Sequence, residues 1–437
     1  MSTDRFDNYD SGVRQLVLAF EKAGGQPFFD VDDLLVIADY YLETHNVEGL
    51  EAAVLLGERI YPHNGDIRLR RAQLCGVQGD YSQALSLLKR LELDDPGNTD
   101  VCYSLATLYS LTGHSKESID YYLRASADGY ELGMVFANVA DEYRKLGNTA
   151  QAVRYYRKAV AHNPNEQRSL YALSNIWDCQ CRQDQAVRFF THHVTEHPYC
   201  KEGWHCLGFA YLWGRENDAA KAVDALEYAI AIDKHFENAY YTLAEAYLKM
   251  GNRTEAISTL RAVLDYSFDR VWVMLSIGDI YMESGNYHTA YVYFREAANT
   301  DPRRYSVWTS LGRCCEQLGY ADEAEEHYLR AIDLGPEDED IWLLLADMYM
   351  RQERFADAAT LLQDGRNQFV DIFAIYSRLL YCYFRLGKRN RLFSLLLDML
   401  PHLASELQAL LLDYPDMALD AEIVSLINHT SHRDNEI

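Results

Sequence analysis

Proline recurs in this chain at a fixed spacing, and this spacing constrains the fold more than any other feature. Three pairs of prolines each lie 34 residues apart: Pro62 and Pro96, Pro164 and Pro198, and Pro302 and Pro336. The residue before a proline is pushed out of helical backbone angles, so each proline predicts the end of a helix. A fixed period of this length indicates a chain built from tandem structural repeats.

Between the prolines, apolar residues follow helical spacing in two stretches per period. The residues that carry the pattern most clearly are Trp204, Leu207, Gly208 and Tyr211 in a first stretch, and Ala290, Phe294, Ala297 and Pro302 in a second. This pattern resembles the tetratricopeptide repeat and recurs eleven times over roughly residues 31–406. The resemblance implies an all-α fold, a right-handed superhelical α-solenoid of antiparallel helix pairs.

Each repeat can be numbered from slot 1 to slot 34. The repeats start at residues 31, 65, 99, 133, 167, 201, 237, 271, 305, 339 and 373. Slot 8 is mostly Ala or Gly and slot 20 is mostly Ala, which predicts that two antiparallel helices approach closely there. The sixth repeat has two extra residues, which we assign to its inter-helix turn around residues 214–220.

The domain organisation follows from the repeats. We expect an N-terminal segment, 1–30, with one capping helix, and eleven repeats, 31–406, that form one continuous solenoid. Capping helices follow over 407–428, and a polar tail over 429–437. Each repeat of a solenoid contacts mainly its neighbours, so the sequence does not require a separate domain boundary.

Charge and composition exclude several functions. The chain has 41 Lys and Arg against 66 Asp and Glu, a net charge of −25, which argues against binding to nucleic acid. The most apolar region, 392–412, is broken by Asp398, His402 and Glu406, so we expect no membrane insertion. The acidic N-terminus does not resemble a secretory signal, and nine cysteines cannot form a complete set of disulfides. These features predict a cytoplasmic protein.

The first helix of each repeat carries the candidate binding surface. In the family that the chain resembles, first helices line a concave groove, and slots 2, 5, 9, 12 and 13 point away from the second helix. Many of these slots are apolar, including Leu212 and Leu275, and exposed apolar patches commonly bind a partner. The predicted groove residues are Tyr103, Tyr171, His205, Phe209, Trp213, Tyr241, Glu245, Trp272, Asp279 and Met282. The alternative is that these rings pack against the next repeat.

Acidic residues share this surface. Slot 9 holds Asp39, Asp141, Glu245, Asp279 and Asp347. They are either the solvated face of an acidic chain or the wall of a groove that takes a peptide or helix with basic and apolar residues. In the second case, Glu245 and Asp279 would select the partner, and the acids would raise the association rate.

The sequence contains one cluster of possible metal ligands and none of the common catalytic motifs. A cluster of soft donors offers metal candidates, namely Cys179, Cys181, His193, His197, Cys200 and Cys206. Their spacing matches no compact ligand motif, and Cys181 occupies the turn slot that is usually Gly. Phosphate-binding, zinc-protease and nucleophile-elbow motifs are missing from the sequence, so we expect neither an enzyme nor a cofactor.

Three functions therefore remain. The leading hypothesis is a non-catalytic interaction scaffold that binds a peptide or helix of another protein in its groove. The second is a structural homo-oligomer, a homodimer for example, that assembles through apolar terminal helices at Leu395–Leu397 and Leu410–Leu412. The third is a metal-binding protein that uses the Cys and His cluster.

Overall fold

The computed structural model describes residues 11–22, 29–128, 131–214, 218–369, 372–403 and 406–431. Most of the predicted polar tail and parts of the N-terminal segment lie outside these residues. The chain forms two compact units, Met1–Thr242 and Leu243–Ile437. Within the described ranges, all regular secondary structure is helical, and none of these helices has the length and apolarity of a membrane span.

The helices of the first unit are α1 Ser11–Lys22, α2 Val31–Glu43, α3 Val47–Ile60, α4 Gly65–Val77, α5 Tyr81–Asp94, α6 Thr99–Leu111, α7 Ser115–Ala125, α8 Leu132–Lys145, α9 Thr149–His162, α10 Gln167–Cys179, α11 Gln183–Glu196, α12 Lys201–Trp213 and α13 Ala219–Ile232. A short 3₁₀ helix, Ser126–Asp128, follows α7. The division between the units falls within α14 Glu237–Lys249.

The helices of the second unit are α15 Arg253–Val263, α16 Arg270–Glu283, α17 Tyr287–Thr300, α18 Tyr305–Leu318, α19 Ala321–Leu334, α20 Glu339–Arg351, α21 Phe355–Gln368, α22 Phe373–Arg385, α23 Arg389–Leu403, α24 Leu407–Asp413 and α25 Ala421–Ser431. A second 3₁₀ helix, Met417–Leu419, lies before α25. Each unit is an α-solenoid of antiparallel helix pairs, which confirms the predicted fold class.

The helix bounds follow the repeat numbering. In a typical repeat the first helix ends at slot 13, as α6 does, and three residues lead into the second helix. In the sixth repeat, five residues, 214–218, separate α12 from α13, and 215–217 lie outside the described part of the chain. The two extra residues therefore fall in the inter-helix connection, as the spacing predicts.

Slot 15 of this connection has a left-handed backbone. Gly113 and Gly285 have φ of 79° and 73°, a region in which glycine carries no steric cost. Cys181 occupies the same slot with a φ of 52°, and His45 and Glu353 do so with 56° and 60°. The turn therefore forms even where a side chain makes it less favourable.

The helix pairs are held together by contacts between slots 8 and 24. A Cβ atom on Gly278 would lie 2.2 Å from the Phe294 ring, and one on Gly312 would lie 2.7 Å from the Tyr328 ring. Slot 20, which we expected opposite slot 8, contributes a buried alanine beside this contact, such as Ala290. The aromatic ring at slot 24, which makes the larger contact with slot 8, was not predicted, because slot 24 lies one helical turn beyond slot 20.

Tryptophan at slot 4 joins one repeat to the next. The indole nitrogens of Trp204, Trp308 and Trp342 donate to the carbonyls of Pro198, Pro302 and Pro336 at 2.8, 2.9 and 3.2 Å. Each proline thus ends one repeat and accepts a hydrogen bond from the next, so the two most visible features of the period act as a pair.

First helices of successive repeats contact one another. In the first unit, α2 contacts α4, α4 contacts α6, and α10 contacts α12. In the second unit, α16 contacts α18 and α20 contacts α22. Each unit therefore has a surface built from first helices, on which the predicted binding residues lie.

Candidate functional site

A cavity of about 530 Å³ opens among the first helices of three successive repeats in the first unit. We call it the first-helix cavity. Its lining residues are Asp141 and Arg144 on α8, Arg168, Tyr171, Ala172, Ser174, Asn175 and Asp178 on α10, and His205, Cys206 and Phe209 on α12. Three predicted groove residues, Tyr171, His205 and Phe209, meet here. The polar members, such as Asn175, are not among the groove residues predicted from the sequence.

His205 is held between aromatic rings. Its ring centroid lies 5.7 Å from that of Tyr171 and 5.5 Å from that of Phe236, both in edge-on contact. Its Nε2 lies 3.0 Å from Thr242 Oγ1, and the Thr242 hydroxyl donates to the Asn238 carbonyl, so Nε2 acts as the donor. Burial lowers the pKa of His205 to about 4, which keeps the ring neutral at neutral pH.

Two predicted anchors take part in packing between repeats. Tyr103 accepts a hydrogen bond of 3.0 Å from Asn138 of the next repeat, and its ring meets Tyr122 edge-on at 5.4 Å. Burial raises the pKa of Tyr171, whose ring contacts His205 of the next repeat. The alternative interpretation therefore holds for part of the set, because Tyr103, Tyr171 and His205 each contact a neighbouring repeat.

The other predicted residues of the first unit are more accessible. Phe209 is half-buried, and its ring lies 6.3 Å from that of Trp213. Trp213 is 41% exposed. Tyr241 is half-buried and donates a 2.7 Å hydrogen bond to Glu237 on its own helix. Phe209 and Trp213 thus offer apolar surface beside the first-helix cavity.

Four predicted residues belong to the second unit. Glu245 and Asp279 are exposed, Trp272 is 40% exposed, and Met282 packs against the hydrophobic core. The pKa of Asp279 is raised by desolvation, because surrounding helices displace part of its hydration although the side chain itself is open.

Most slot 9 acids form an ion pair that was not predicted from the sequence. Asp39 binds Arg70 at 2.6 Å, Asp141 binds Arg168 at 3.2 Å, and Asp347 binds Arg378 at 2.6 Å. In each pair the arginine comes from the first helix of the next repeat. These acids therefore link successive repeats, whereas Glu245 and Asp279 form no ion pair within 4.0 Å among the described residues.

Two residues that we expected to be exposed on the first-helix surface are buried. Leu212 is fully buried and Leu275 is 8% exposed. For these two positions the prediction of an open apolar wall was wrong. Neighbouring helices cover both side chains, which the helical spacing within a single repeat does not show.

The cysteine and histidine candidates do not converge on one point among the described residues. Cys179 and Cys181 are exposed, while Cys200, Cys206 and His193 are buried. The rings of His193 and His197 lie 5.1 Å apart, but among the described residues no third donor atom converges with them. Among the described residues, three possible donors converge only at Cys315, Glu323 and His327 in the second unit, where burial raises the pKa of Cys315 to about 12.

The terminal leucine runs are largely used within the second unit. Leu395, Leu396 and Leu410 are at most 2% exposed, whereas Leu397 and Leu412 are 56% and 81% exposed. Each run therefore contributes one largely exposed leucine to the surface, not three.

Comparisons with known protein families find two relationships. A family model described as the cilia and flagella-associated protein 70 C-terminal domain matches residues 236–367. A tetratricopeptide repeat model matches residues 99–126 and 135–166.

Individual relatives are distant. The BBSome complex member BBS4 of Bos taurus is 22% identical over 159 residues, 36% of this chain and 30% of that protein. Human cilia- and flagella-associated protein 70 is 25% identical over 177 residues, 39% of this chain and 16% of that protein. The chain thus spans less than a third of the length of these relatives. The crystal structure of the APC/C hetero-tetramer Cut9-Hcn1 covers 96% of this chain and 92% of its own, with 14% identity and a TM-score of 0.38.

Proposed function

This chain is a tetratricopeptide-repeat protein, and on that premise we propose that it is a non-catalytic scaffold that binds a peptide or helix of a partner protein at its first-helix cavity. Proteins of this family generally act as protein-interaction scaffolds, and some relatives are named as members of protein complexes. The first-helix cavity is the observation that carries the proposal. The cavity is concave and combines aromatic side chains, which can bury apolar surface, with polar groups that can fix the orientation of a bound segment.

Phe209 and Trp213 would anchor the partner by apolar burial, while Asn175 and Asp178 would bind its polar groups. Because α10 and α12 pack directly on each other, the site is preorganised and loses little conformational entropy on binding. On the second unit taken by itself, the exposed carboxylates of Glu245 and Asp279 would favour a peptide or helix that carries basic residues beside its apolar ones.

Quantitative affinity capture from the native host tests this function. The full-length protein is compared with a Phe209→Ala/Trp213→Ala variant and with Tyr199→Ala, which removes an 85% exposed ring that lies outside the first helices. We expect partners that the wild type and Tyr199→Ala recover equally and the double variant loses. Equal recovery by all three proteins contradicts the assignment of Phe209 and Trp213 as anchors.

The selectivity of the two acids requires a separate measurement. The association rate of a recovered partner should fall as salt is raised, and Glu245→Gln/Asp279→Asn should lower it at low salt. A rate that is insensitive to ionic strength would show that these acids do not steer the partner.

A homo-oligomer is the second candidate, and the exposed Leu397 and Leu412 favour it. Light scattering would test it with Leu397→Ser and Leu412→Ser, which spare the buried leucines. A stable dimer that both substitutions dissociate supports this candidate, whereas a monomer at all concentrations excludes it.

We also expect a cytoplasmic location, which the nine free cysteines support.

A further inference from the structure

A second and larger cavity lies on the second helices of the first unit. It has a volume of about 1070 Å³ and is bounded by α9 and α11, the second helices of the fourth and fifth repeats. We call it the α9–α11 groove. Its floor includes Val160, Trp177, Phe189 and His193. Trp177 is 4% exposed and Phe189 is half-buried, so the floor offers apolar and aromatic surface.

The rim of the α9–α11 groove is basic. Arg154, Arg157 and Lys158 line it from α9, and Arg188 lines it from α11. Helix α9 contains no acidic residue, and Glu196 is the one carboxylate that lines the groove. This concentration of positive charge is unusual for a chain with a net charge of −25.

The four rim cations have no carboxylate within 4.0 Å in the described part of the chain. Arginines elsewhere commonly do, as Arg124 with Glu92 at 2.7 Å and Arg354 with Glu325 at 2.6 Å. Instead, Arg157 lies 5.6 Å from the Phe189 ring, and Lys158 lies 4.7 Å from the Tyr155 ring. The aromatic contacts position these cations without neutralising them, so their charge remains available to an anion.

A buried polar group adds to this picture. His193 is 6% exposed and lines the groove, and its Nε2 has no hydrogen-bond partner among the described residues. Its ring stacks on Phe189 at 6.1 Å. Burial lowers the pKa of His193 to about 4, so the ring is neutral at neutral pH. The ring already donates a hydrogen bond to the Pro164 carbonyl, so Nε2 of the neutral ring is an acceptor, and a backbone N–H of a bound peptide would remove the free-energy cost of leaving it unpaired.

We propose that the α9–α11 groove binds an acidic segment of a partner protein, a helix or extended peptide in which Asp or Glu residues alternate with apolar ones. The rim cations pair with the carboxylates, and the aromatic floor takes the apolar side chains. A nucleic acid fits less well, because the chain as a whole repels a polyanion and much of the floor is apolar.

This site is formed mainly by the second helices α9 and α11, whereas the first-helix cavity is formed by first helices, so the inference goes beyond the proposed function. Helix α10 contributes Tyr171 and Asn175 to the first-helix cavity and Trp177 to the α9–α11 groove. A partner in the first-helix cavity and an acidic partner in the α9–α11 groove can therefore occupy the first unit at the same time. The chain then connects two different proteins.

Fluorescence anisotropy with the full-length protein tests the inference. The probe is a short labelled helical peptide of Glu and Leu, and its reference is the same peptide with Gln in place of Glu. Arg154→Glu/Arg188→Glu reverses two exposed rim charges. Its matched control is Arg90→Glu/Arg295→Glu, which reverses two exposed charges on other second helices, α5 and α17.

We expect the Glu peptide to bind at least about tenfold more tightly than the Gln peptide. The rim variant should lose about tenfold in affinity for the Glu peptide, whereas the control variant and Phe209→Ala should stay close to wild type. Circular dichroism confirms that both charge variants fold.

Three outcomes overturn the inference. The first is equal binding of both peptides by the wild type, and the second is equal binding of the Glu peptide by the rim and control variants. The third is a different occupant. Tighter binding of a single-stranded DNA oligonucleotide that the rim variant abolishes would assign the groove to nucleic acid. Self-association of the wild type that the rim variant abolishes would assign it to a second copy of the chain.

Discussion

The buried histidine of the first-helix cavity gives the stability of the first unit a defined pH dependence. His205 is 9% exposed between the rings of Tyr171 and Phe236, and its pKa falls from 6.5 to about 4 because the charged ring loses its hydration. As the pH falls below about 6.5, the unfolded chain takes up a proton at this position before the folded chain does. Acidification therefore lowers the free energy of unfolding.

The size of this effect follows from the two pKa values. A difference of one pKa unit corresponds to about 1.4 kcal/mol, so the loss from His205 approaches about 3 kcal/mol once the pH is below both values. Near pH 5, where the unfolded ring is mostly charged and the folded ring is mostly neutral, the loss is about 2 kcal/mol. Near pH 7 the contribution is close to zero.

Hydrogen exchange of α12 amides near pH 7 and near pH 5 measures this difference, because repeat arrays open locally and a single global midpoint would average over the chain. His205→Gln keeps a donor for Thr242 but does not titrate, so its opening free energy should fall by about 2 kcal/mol less than that of the wild type. His162→Gln, which removes an exposed histidine from α9, is the matched control. Carboxylates titrate equally in all three proteins and cancel in the comparison.

Burial of His193 lowers the pKa of that residue to about 4 as well, so His205→Gln should keep part of the acid sensitivity around α11. A His193→Gln/His205→Gln variant should lose both contributions. If His205→Gln shows the same pH dependence at α12 as the wild type, the reasoning from burial between the two rings is refuted.

Three further predictions concern the repeats themselves. Gly278→Ala places a methyl group 2.2 Å from the buried Phe294 ring and should lower the free energy of unfolding in urea by about 1–2 kcal/mol. Gly76→Ala, which has open space around its Cβ, should instead raise it by up to about 1 kcal/mol. A change of the same sign in both variants would contradict the packing of slot 8 on slot 24. Cys181→Gly removes the strain of a φ of 52° and should raise the free energy of unfolding, followed by heating, by about 1 kcal/mol. Cys179→Gly, in helix α10, should lower it. A lower stability of Cys181→Gly would refute the strain argument. Arg378→Met leaves the partly buried Asp347 without its bidentate partner and should lower the free energy of unfolding in urea by about 1–3 kcal/mol. Arg366→Met, which removes the partner of the exposed Asp398, should lower it by less than about 1 kcal/mol. Equal losses would show that burial of the pair does not determine its contribution.

The features that depend on one repeat alone could be predicted from the sequence. The prolines located the helix ends, the length of the sixth repeat located its longer connection at 214–218, and the position of Cys181 in the turn was assigned correctly. Each of these depends on local backbone preference, which a periodic pattern displays directly.

The features that depend on how repeats stack could not be predicted in the same way. The pairing of Asp347 with Arg378 and the burial of Leu212 arise from the rotation between neighbouring repeats, which no single repeat records. The α9–α11 groove was missed for another reason. Its cations were visible in the sequence, but a net charge of −25 for the whole chain concealed a local excess of positive charge.

The tryptophans that join repeats and those that lie on the first helices differ in their environment, and this difference provides optical reporters. Trp308 and Trp342 are each 8% exposed and donate to proline carbonyls, so their emission should lie to the blue and shift when repeats separate. Trp213 and Trp272 are about 40% exposed, so their emission should lie to the red and respond to quenchers. The intrinsic fluorescence of the unlabelled chain can therefore distinguish a ligand that covers the first helices from one that loosens the stack.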